Sequence, residues 1–244
     1  MRHFALIGYP LKHSLSGELF NEQHFPDADY HIEELSSIER LRQWVEMKAI
    51  AGFNVTIPYK QAILPLLDAL GSEAKAIGAV NCVVIENGKL IGHNTDAPAF
   101  QQSLGDLLNA KHLTPNVAFI LGTGGAAHAV AYALRQLGID YQFVSCHPER
   151  HPNAIGYSDL AAHLSPFSLI INTTPVGMYP DIDKAPLSLP SLSPITPLLI
   201  YDLIYNPSPT RLLREADALG VQTKDGLEML RLQAQLSWRL WHLI

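Results

Sequence analysis

Val117-Ala118-Phe119-Ile120-Leu121-Gly122-Thr123-Gly124-Gly125-Ala126-Ala127 is the stretch on which the fold turns. Its first five residues are apolar without alternation, the pattern of a strand buried on both faces in a parallel sheet. Glycines then follow in a G-x-G-x-x-A arrangement, and a helix is predicted through residue 137, with Gly138 past its end. Strand, glycine turn and helix in that order form a dinucleotide-binding fingerprint. Gly122 permits the tight turn, Gly124 lets the backbone approach a pyrophosphate, and Ala127 lets the helix pack closely on the strand.

Downstream, residues 142–145 read as the next strand, ending in Ser145-Cys146-His147-Pro148-Glu149-Arg150. An NAD binder usually carries an acid at this strand end to hold the ribose 2′-hydroxyl. Neither Ser145 nor Cys146 is one, and Arg150 is near enough to meet a 2′-phosphate; Glu149 is compatible with either cofactor. His147 and His151 share a metal-like spacing, but no cysteine or carboxylate stands in a matching arrangement. The loop reads as solvated, and no metal is expected. The alternation continues with a buried strand at 168–172, a proline-rich loop at 180–197, a strand at 198–203 and a helix at 210–219 closed by Gly220. The last helix, from 227 to about 243, is apolar nearly all round and is predicted to be largely buried. Gln233 within it needs a partner, either another core group or a ligand hydroxyl.

Upstream, Asn54-Val55-Thr56-Ile57-Pro58-Tyr59-Lys60 alternates polar and apolar residues as a strand does, and Pro58 ends it. A helix is predicted over 61–70, closed by Gly71. Asn54, Thr56 and Lys60 then cluster at the carboxyl edge of a sheet, where ligands of open α/β sheets bind. A wet strand face with a solvated lysine is the alternative. Residues 4–7 read as a buried strand, followed by a helix to about 25 with Ser14 and Ser16 at its start. One serine there is explained as an N-cap. Two suit an anion as well, since capping needs only one. A strand is predicted at 30–35 and a helix at 38–49. Asn87-Gly88 marks a hairpin whose second strand delivers His93-Asn94-Thr95-Asp96. Asn81 reads as a turn residue and Asp96 as a helix N-cap ahead of Pro98, or both as site residues. One lysine, one carboxylate and many neutral hydrogen-bonding groups suit a small polyhydroxylated acid.

The chain has 244 residues, 48% of them hydrophobic, which allows a sizeable core in one large or two small domains. Its net charge is −6 and it has no basic run, which argues against nucleic acid and anionic membrane surfaces. Two cysteines, Cys82 and Cys146, make no disulfide framework, so a cytoplasmic setting is expected. No apolar run has the length of a signal peptide or membrane span.

In order and spacing the chain resembles the shikimate dehydrogenase family over nearly its whole length. The matching signatures are Gly8-Tyr9-Pro10 through His13-Ser14-Leu15-Ser16, Asn54 to Lys60, Gly78-Ala79-Val80-Asn81 and Asn94-Thr95-Asp96. Further along stand Gly122 to Ala126, Asn172-Thr173-Thr174 with Gly177-Met178, Asp202 with Tyr205, and Asp225-Gly226-Leu227 with Gln233. The resemblance implies a two-domain α/β fold. An N-terminal substrate domain would comprise residues 1–97 and 224–244, and a Rossmann-type, doubly wound parallel-sheet NADP domain residues 98–223, with catalysis in the cleft. It implies NADP-linked interconversion of 3-dehydroshikimate and shikimate, with Lys60 as acid/base and Asp96 its partner. Ser14, Ser16 and Tyr205 would hold the carboxylate, and Asn54, Thr56, Lys60, Asn81, Asp96 and Gln233 the ring hydroxyls. Gly122, Thr123, Gly124, Gly125 and Ala126 would cradle the pyrophosphate, and Leu203 and Gly226 lie near the nicotinamide. Ser145-Cys146-His147 replaces the family's usual Asn-Arg-Thr, so one 2′-phosphate arginine is missing and NAD stays possible. Ala97 replaces a usual glycine, and the chain stops at Ile244, short of a segment many relatives carry. The alternatives are an NAD-linked quinate/shikimate dehydrogenase, and a non-catalytic dinucleotide sensor, which is expected to lose Lys60 or Asp96. The oligomer is expected to be a monomer or homodimer.

Overall fold

A computed structural model describes residues 1–11, 14–189 and 197–244. His13 of the first signature and most of the second half of the proline-rich loop, residues 190–196, lie outside the described residues. The chain divides into two compact units, Met1–Ala99 with Arg231–Ile244, and Phe100–Leu230. The sequence reading divides it at 98 and 224 instead, before the last helix rather than within it.

The first unit runs β1 (Arg2–Gly8), α1 (Ser16–Asn21), β2 (Ala28–Glu34), α2 (Leu41–Met47), β3 (Ile50–Val55), α3 (Tyr59–Ala62), β4 (Ala69–Leu70), α4 (Ser72–Ile77), β5 (Cys82–Glu86) and β6 (Lys89–His93). Its sheet has the order β2-β1-β3-β5-β6-β4. β1 pairs parallel with β2 and β3, and β5 antiparallel with β3 and β6. Both faces are covered. Ala5, Ile7, Phe53 and Val55 join Leu41, Trp44 and Val45 of α2 in one core. On the other face Phe4 stacks on Trp241 at 4.6 Å. Gly52 is required there, because a β-carbon on it would stand 2.5 Å from the Trp241 indole nitrogen. The Asn87-Gly88 hairpin forms as read, with φ of 51° and 74° at its two central residues.

α5 (Asp96–Lys111) follows β6, and the second unit continues with β7 (Val117–Leu121), α6 (Gly125–Gln136), β8 (Asp140–Ser145), β9 (Ala154–Gly156), α7 (Leu160–His163), β10 (Ser168–Asn172), β11 (Leu199–Asp202), α8 (Arg211–Ala218) and β12 (Gln222–Lys224). The last helix, α9 (Leu227–Leu240), starts in the second unit and belongs to the first from Arg231 on. Every strand pair in its sheet is parallel, in the order β12-β11-β10-β7-β8-β9. Counted from β7, that is the doubly wound order whose direction reverses between the first and fourth strands. The α/β class and the Rossmann-type sheet are as the sequence predicts.

Several local expectations are corrected. The helix predicted over 61–70 stops at Ala62, passes into a 3-10 turn at Leu64–Leu66 containing Pro65, and gives way to β4, which pairs with β6. Proline cannot donate the bond a continuing helix needs there. Ile57 leaves the strand and is exposed, since β3 already ends at Val55. α9 is one-sided rather than apolar all round: Arg231, Gln235 and Arg239, four residues apart, line an exposed stripe. The sequence gives no sign of the short elements β9, α7 and β12, which are too brief to show a period. Among the described residues no helix is long and apolar enough to cross a membrane.

Candidate active site

In the first unit the carboxyl ends of β3 and β6, with the link into β5, bring polar side chains together. Asn54 is the penultimate residue of β3 and is buried. Its Nδ2 donates to the Asn81 carbonyl (3.1 Å) and to Ser237 Oγ (2.9 Å), and its Oδ1 accepts from the Tyr30 hydroxyl (2.8 Å). Both amide protons are therefore used, and only a lone pair of Oδ1 remains for anything else. Lys60 is the second residue of α3, held by a bond from Val80 N to its carbonyl (2.8 Å). Its ammonium donates to Asp96 Oδ2 at 2.7 Å, with side chains 17% and 8% exposed, so the pair is largely shielded from water.

The sequence suggests Asp96 as the cap of its helix. Asn94 takes that role instead, its Oδ1 accepting from Ala97 N (3.0 Å) while its Nδ2 donates to the Ala79 carbonyl (3.0 Å). That relieves Asp96 of backbone duty and leaves its second oxygen, Oδ1, to accept from Asn81 Nδ2 at 2.9 Å. Asn81 Nδ2 also donates to Thr95 Oγ1 (2.8 Å) and stands 3.5 Å from Gln233 Oε1, so Gln233 meets this cluster from α9. Thr95 N donates back to Asn81 Oδ1 (2.6 Å). One turn along α9 from Gln233, Ser237 ties the cluster to Asn54 and Thr95. Lys60, Asn81, Asp96, Asn54 and Gln233 are thus one connected network.

Ser14 and Ser16 lie at the start of α1, but neither caps it; Leu15 holds the cap position without a side-chain bond. Ser14 Oγ donates to Ser16 Oγ (3.2 Å) and accepts from Ser16 N (3.3 Å). Thr56 is half-buried just past β3, its methyl set where a β-carbon on Gly8 would stand at 2.5 Å. Tyr30 and Ser237 belong to the network although nothing in the sequence singles them out, and Thr95 joins it from within the Asn94-Thr95-Asp96 signature. Cys82, the β5 residue paired with Asn54, is fully buried, and burial pushes its thiol up to about 12 despite a hydrogen bond to Ser237. Cys146 is free and exposed.

In the second unit the glycine turn follows β7 at the switch point, beside the end of β10. Gly122 has φ +104°, and a β-carbon on it would crowd Thr173 Oγ1 at 3.0 Å. Thr173 Oγ1 in turn donates to the Leu121 carbonyl (2.6 Å). Gly124 caps α6 without a side chain, and a β-carbon there would meet nothing within 4 Å. No side chain caps the first N–H groups of α6, at Gly125 and Ala126, the kind of helix start that receives a phosphate. Thr123 Oγ1 meets His151 Nε2 at 3.1 Å, a contact that the solvated-loop expectation does not foresee. Arg150 is 68% exposed, with its Nε 3.5 Å from the equally exposed Glu149. Leu203 and Gly226 are packed together: a β-carbon on Gly226 would fall 2.0 Å from the Leu203 carbonyl oxygen. Tyr205 is half-buried after β11.

At the ends of β10 and β11, Asp202 is fully buried. It accepts from Asn172 Nδ2 (2.9 Å), Ile204 N (3.1 Å) and Thr210 Oγ1 (2.7 Å). Burial outweighs these bonds and lifts its carboxyl to about 6.

A family model described as the shikimate dehydrogenase substrate binding domain matches residues 6–83. The NADP(+) shikimate dehydrogenase of Carboxydothermus hydrogenoformans is 36% identical, the alignment covering 97% of this chain and 90% of that one. The crystal structure of shikimate dehydrogenase 1 from Peptoclostridium difficile superposes with a TM-score of 0.88 at 35% identity, covering 99% and 92% of the two chains. That of the Thermus thermophilus shikimate 5-dehydrogenase, in complex with NADP(H) and shikimate, gives a TM-score of 0.83 at 35% identity and covers 99% and 93%.

Proposed function

The chain belongs to the shikimate dehydrogenase family, and from that premise we propose that it interconverts 3-dehydroshikimate and shikimate with NADP as its redox partner. The observation that carries the reading is the Lys60–Asp96 pair, 2.7 Å apart and bound into a network with Asn81 and Gln233. In this reading Met1–Ala99 with Arg231–Ile244 is the substrate domain and Phe100–Leu230 the NADP domain. A small-molecule enzyme of the cytosol, as monomer or homodimer, completes it.

The residues present fit NADP. The uncapped start of α6 behind Gly124 offers backbone N–H groups to the pyrophosphate, and Ser145 puts no carboxylate against a 2′-phosphate. Arg150 supplies an exposed guanidinium for that phosphate. Bound NADP supplies the hydride chemistry. The protein supplies the proton and the orientation. Lys60 Nζ donates a proton to the ketone oxygen as it becomes a hydroxyl, and takes one back in the oxidation. Asp96 holds the ammonium in place through Oδ2 while Asn81 holds Asp96 through Oδ1. Ser14 and Ser16 bind the carboxylate, and Thr56, Asn81 and Gln233 the ring hydroxyls. Asn54 meets a hydroxyl only through Oδ1, because its amide protons are spent on Asn81 and Ser237.

The test follows reduced-cofactor absorbance with shikimate and quinate against NADP and NAD. Turnover of shikimate with NADP is expected. Turnover confined to quinate and NAD would replace the reading with a quinate dehydrogenase, and none at all with a non-catalytic sensor.

A further inference from the structure

At the opposite end of the first unit's strands, β1 and β2 carry a second cluster of ionisable groups. Their parallel register sets His3 beside Asp29 and Ala5 beside His31. Residues 29 and 31 are two apart on one strand, so Asp29, His31 and the paired His3 share one face of the sheet. His3 Nδ1 lies 2.8 and 3.0 Å from the two oxygens of Asp29, and His31 Nε2 lies 3.3 Å from Oδ1. One ligand atom from each of the three falls within 4.8 Å of the others.

We propose that His3, Asp29 and His31 form a binding site for a divalent transition-metal ion of the zinc class. Two imidazoles and a carboxylate are a donor set that zinc accepts, with bonds of about 2.0–2.2 Å. Ligand atoms around a tetrahedral ion with such bonds stand about 3.3 Å apart, and cis ligands of an octahedral ion about 2.9 Å. The separations of Asp29 Oδ1 from His3 Nδ1 and His31 Nε2, 2.8 and 3.3 Å, lie close to the spread between those two geometries, so small side-chain adjustments bring all three donors onto one ion. The side chains are 37%, 31% and 52% exposed, so the ion has an entry path and the remaining coordination positions go to water. Among the described residues no fixed cation competes for Asp29. The guanidinium of neighbouring Arg2 is directed to the Trp241 carbonyl (2.6 Å), and Lys48 pairs with Glu33, further along β2. A bound ion would clamp the first residues of β1 to β2 and so stabilise the folded chain by mass action. Sequence spacing hides the site, because 26 residues separate His3 from Asp29 and only strand pairing joins them.

The experiment titrates the untagged protein with Zn²⁺, and with Co²⁺ as a coloured probe, reading stoichiometry by calorimetry, visible absorbance and melting temperature. One ion per chain is expected, at a dissociation constant of order 10 µM, with a raised melting temperature. His31→Ala, whose exposed side chain can be removed without opening the core, should weaken binding at least tenfold. Asp29→Asn, which preserves shape and hydrogen bonding, should do the same. The proposal is overturned if the unmodified protein binds no ion at about 100 µM zinc, or if either variant binds as the unmodified protein does.

Discussion

The side-chain amide of Asn54 donates to the hydroxyl of Ser237 at 2.9 Å, across 183 positions of sequence. Ser237 is fully buried and also donates to the Gln233 carbonyl one turn back (3.0 Å). Ser237→Ala leaves one buried Asn54 proton without an acceptor. A loss of about 1–3 kcal/mol is expected, measured by denaturant unfolding. A variant as stable as the unmodified protein would show that the amide finds another acceptor.

Lys60→Ala should lower kcat by about 10²–10⁴-fold while changing the KM for shikimate far less. Steady-state kinetics at saturating cofactor decide it. A raised KM with kcat kept would demote Lys60 from proton carrier to binding group.

Cofactor preference rests on the loop after β8. NADP should be favoured over NAD, by less than in relatives with a second arginine, because a hydrogen bond to a charged group contributes about 1.5–3 kcal/mol. Arg150→Ala should shrink the ratio of kcat/KM for NADP over NAD, and Cys146→Arg should enlarge it. Indifference of that ratio to Arg150→Ala would remove Arg150 from the phosphate site.

Asp202 makes stability depend on pH. Its carboxyl is lifted to about 6 from 3.8, so the folded chain holds that proton more tightly than the unfolded one. The contribution is full below about pH 3.8 and is lost as pH rises through about 6, amounting to some ~3 kcal/mol of destabilisation at neutral pH. Asp202→Asn keeps an oxygen for Asn172 and Ile204, and Thr210 can turn its hydroxyl to accept. Relative to the unmodified protein, the variant should therefore gain stability between about pH 4 and 7. Unfolding curves across that range test it, and a constant difference would contradict it.

The second sheet is legible in the sequence because both its signals are local: an unbroken apolar strand, and glycines at fixed offsets before a helix. The first unit is less so. Lys60, Asn81 and Asp96 look like ordinary strand-end residues one at a time, and family likeness rather than periodicity singles them out. Tyr30 and Ser237 leave no signal, since what defines them is a partner far away in sequence. Ser237 in particular sits mid-helix, where a serine ordinarily says nothing. β4 escapes a reading by pattern because two residues cannot show an alternation, and the apolar run before it suits a helix equally well.

The two thiols differ in a way that bears on how this protein can be handled. Cys82 is fully buried on β5 beside Asn54, and a thiol held near 12 is almost never the thiolate that reagents attack. Cys146 stands in water on the loop with Arg150 and His147. A maleimide dye added to the native chain should therefore attach at one position and spare the other. The natural sequence carries its own labelling point beside the groups proposed to distinguish NADP from NAD, and fluorescence from that point can follow nucleotide occupancy without a single engineered residue.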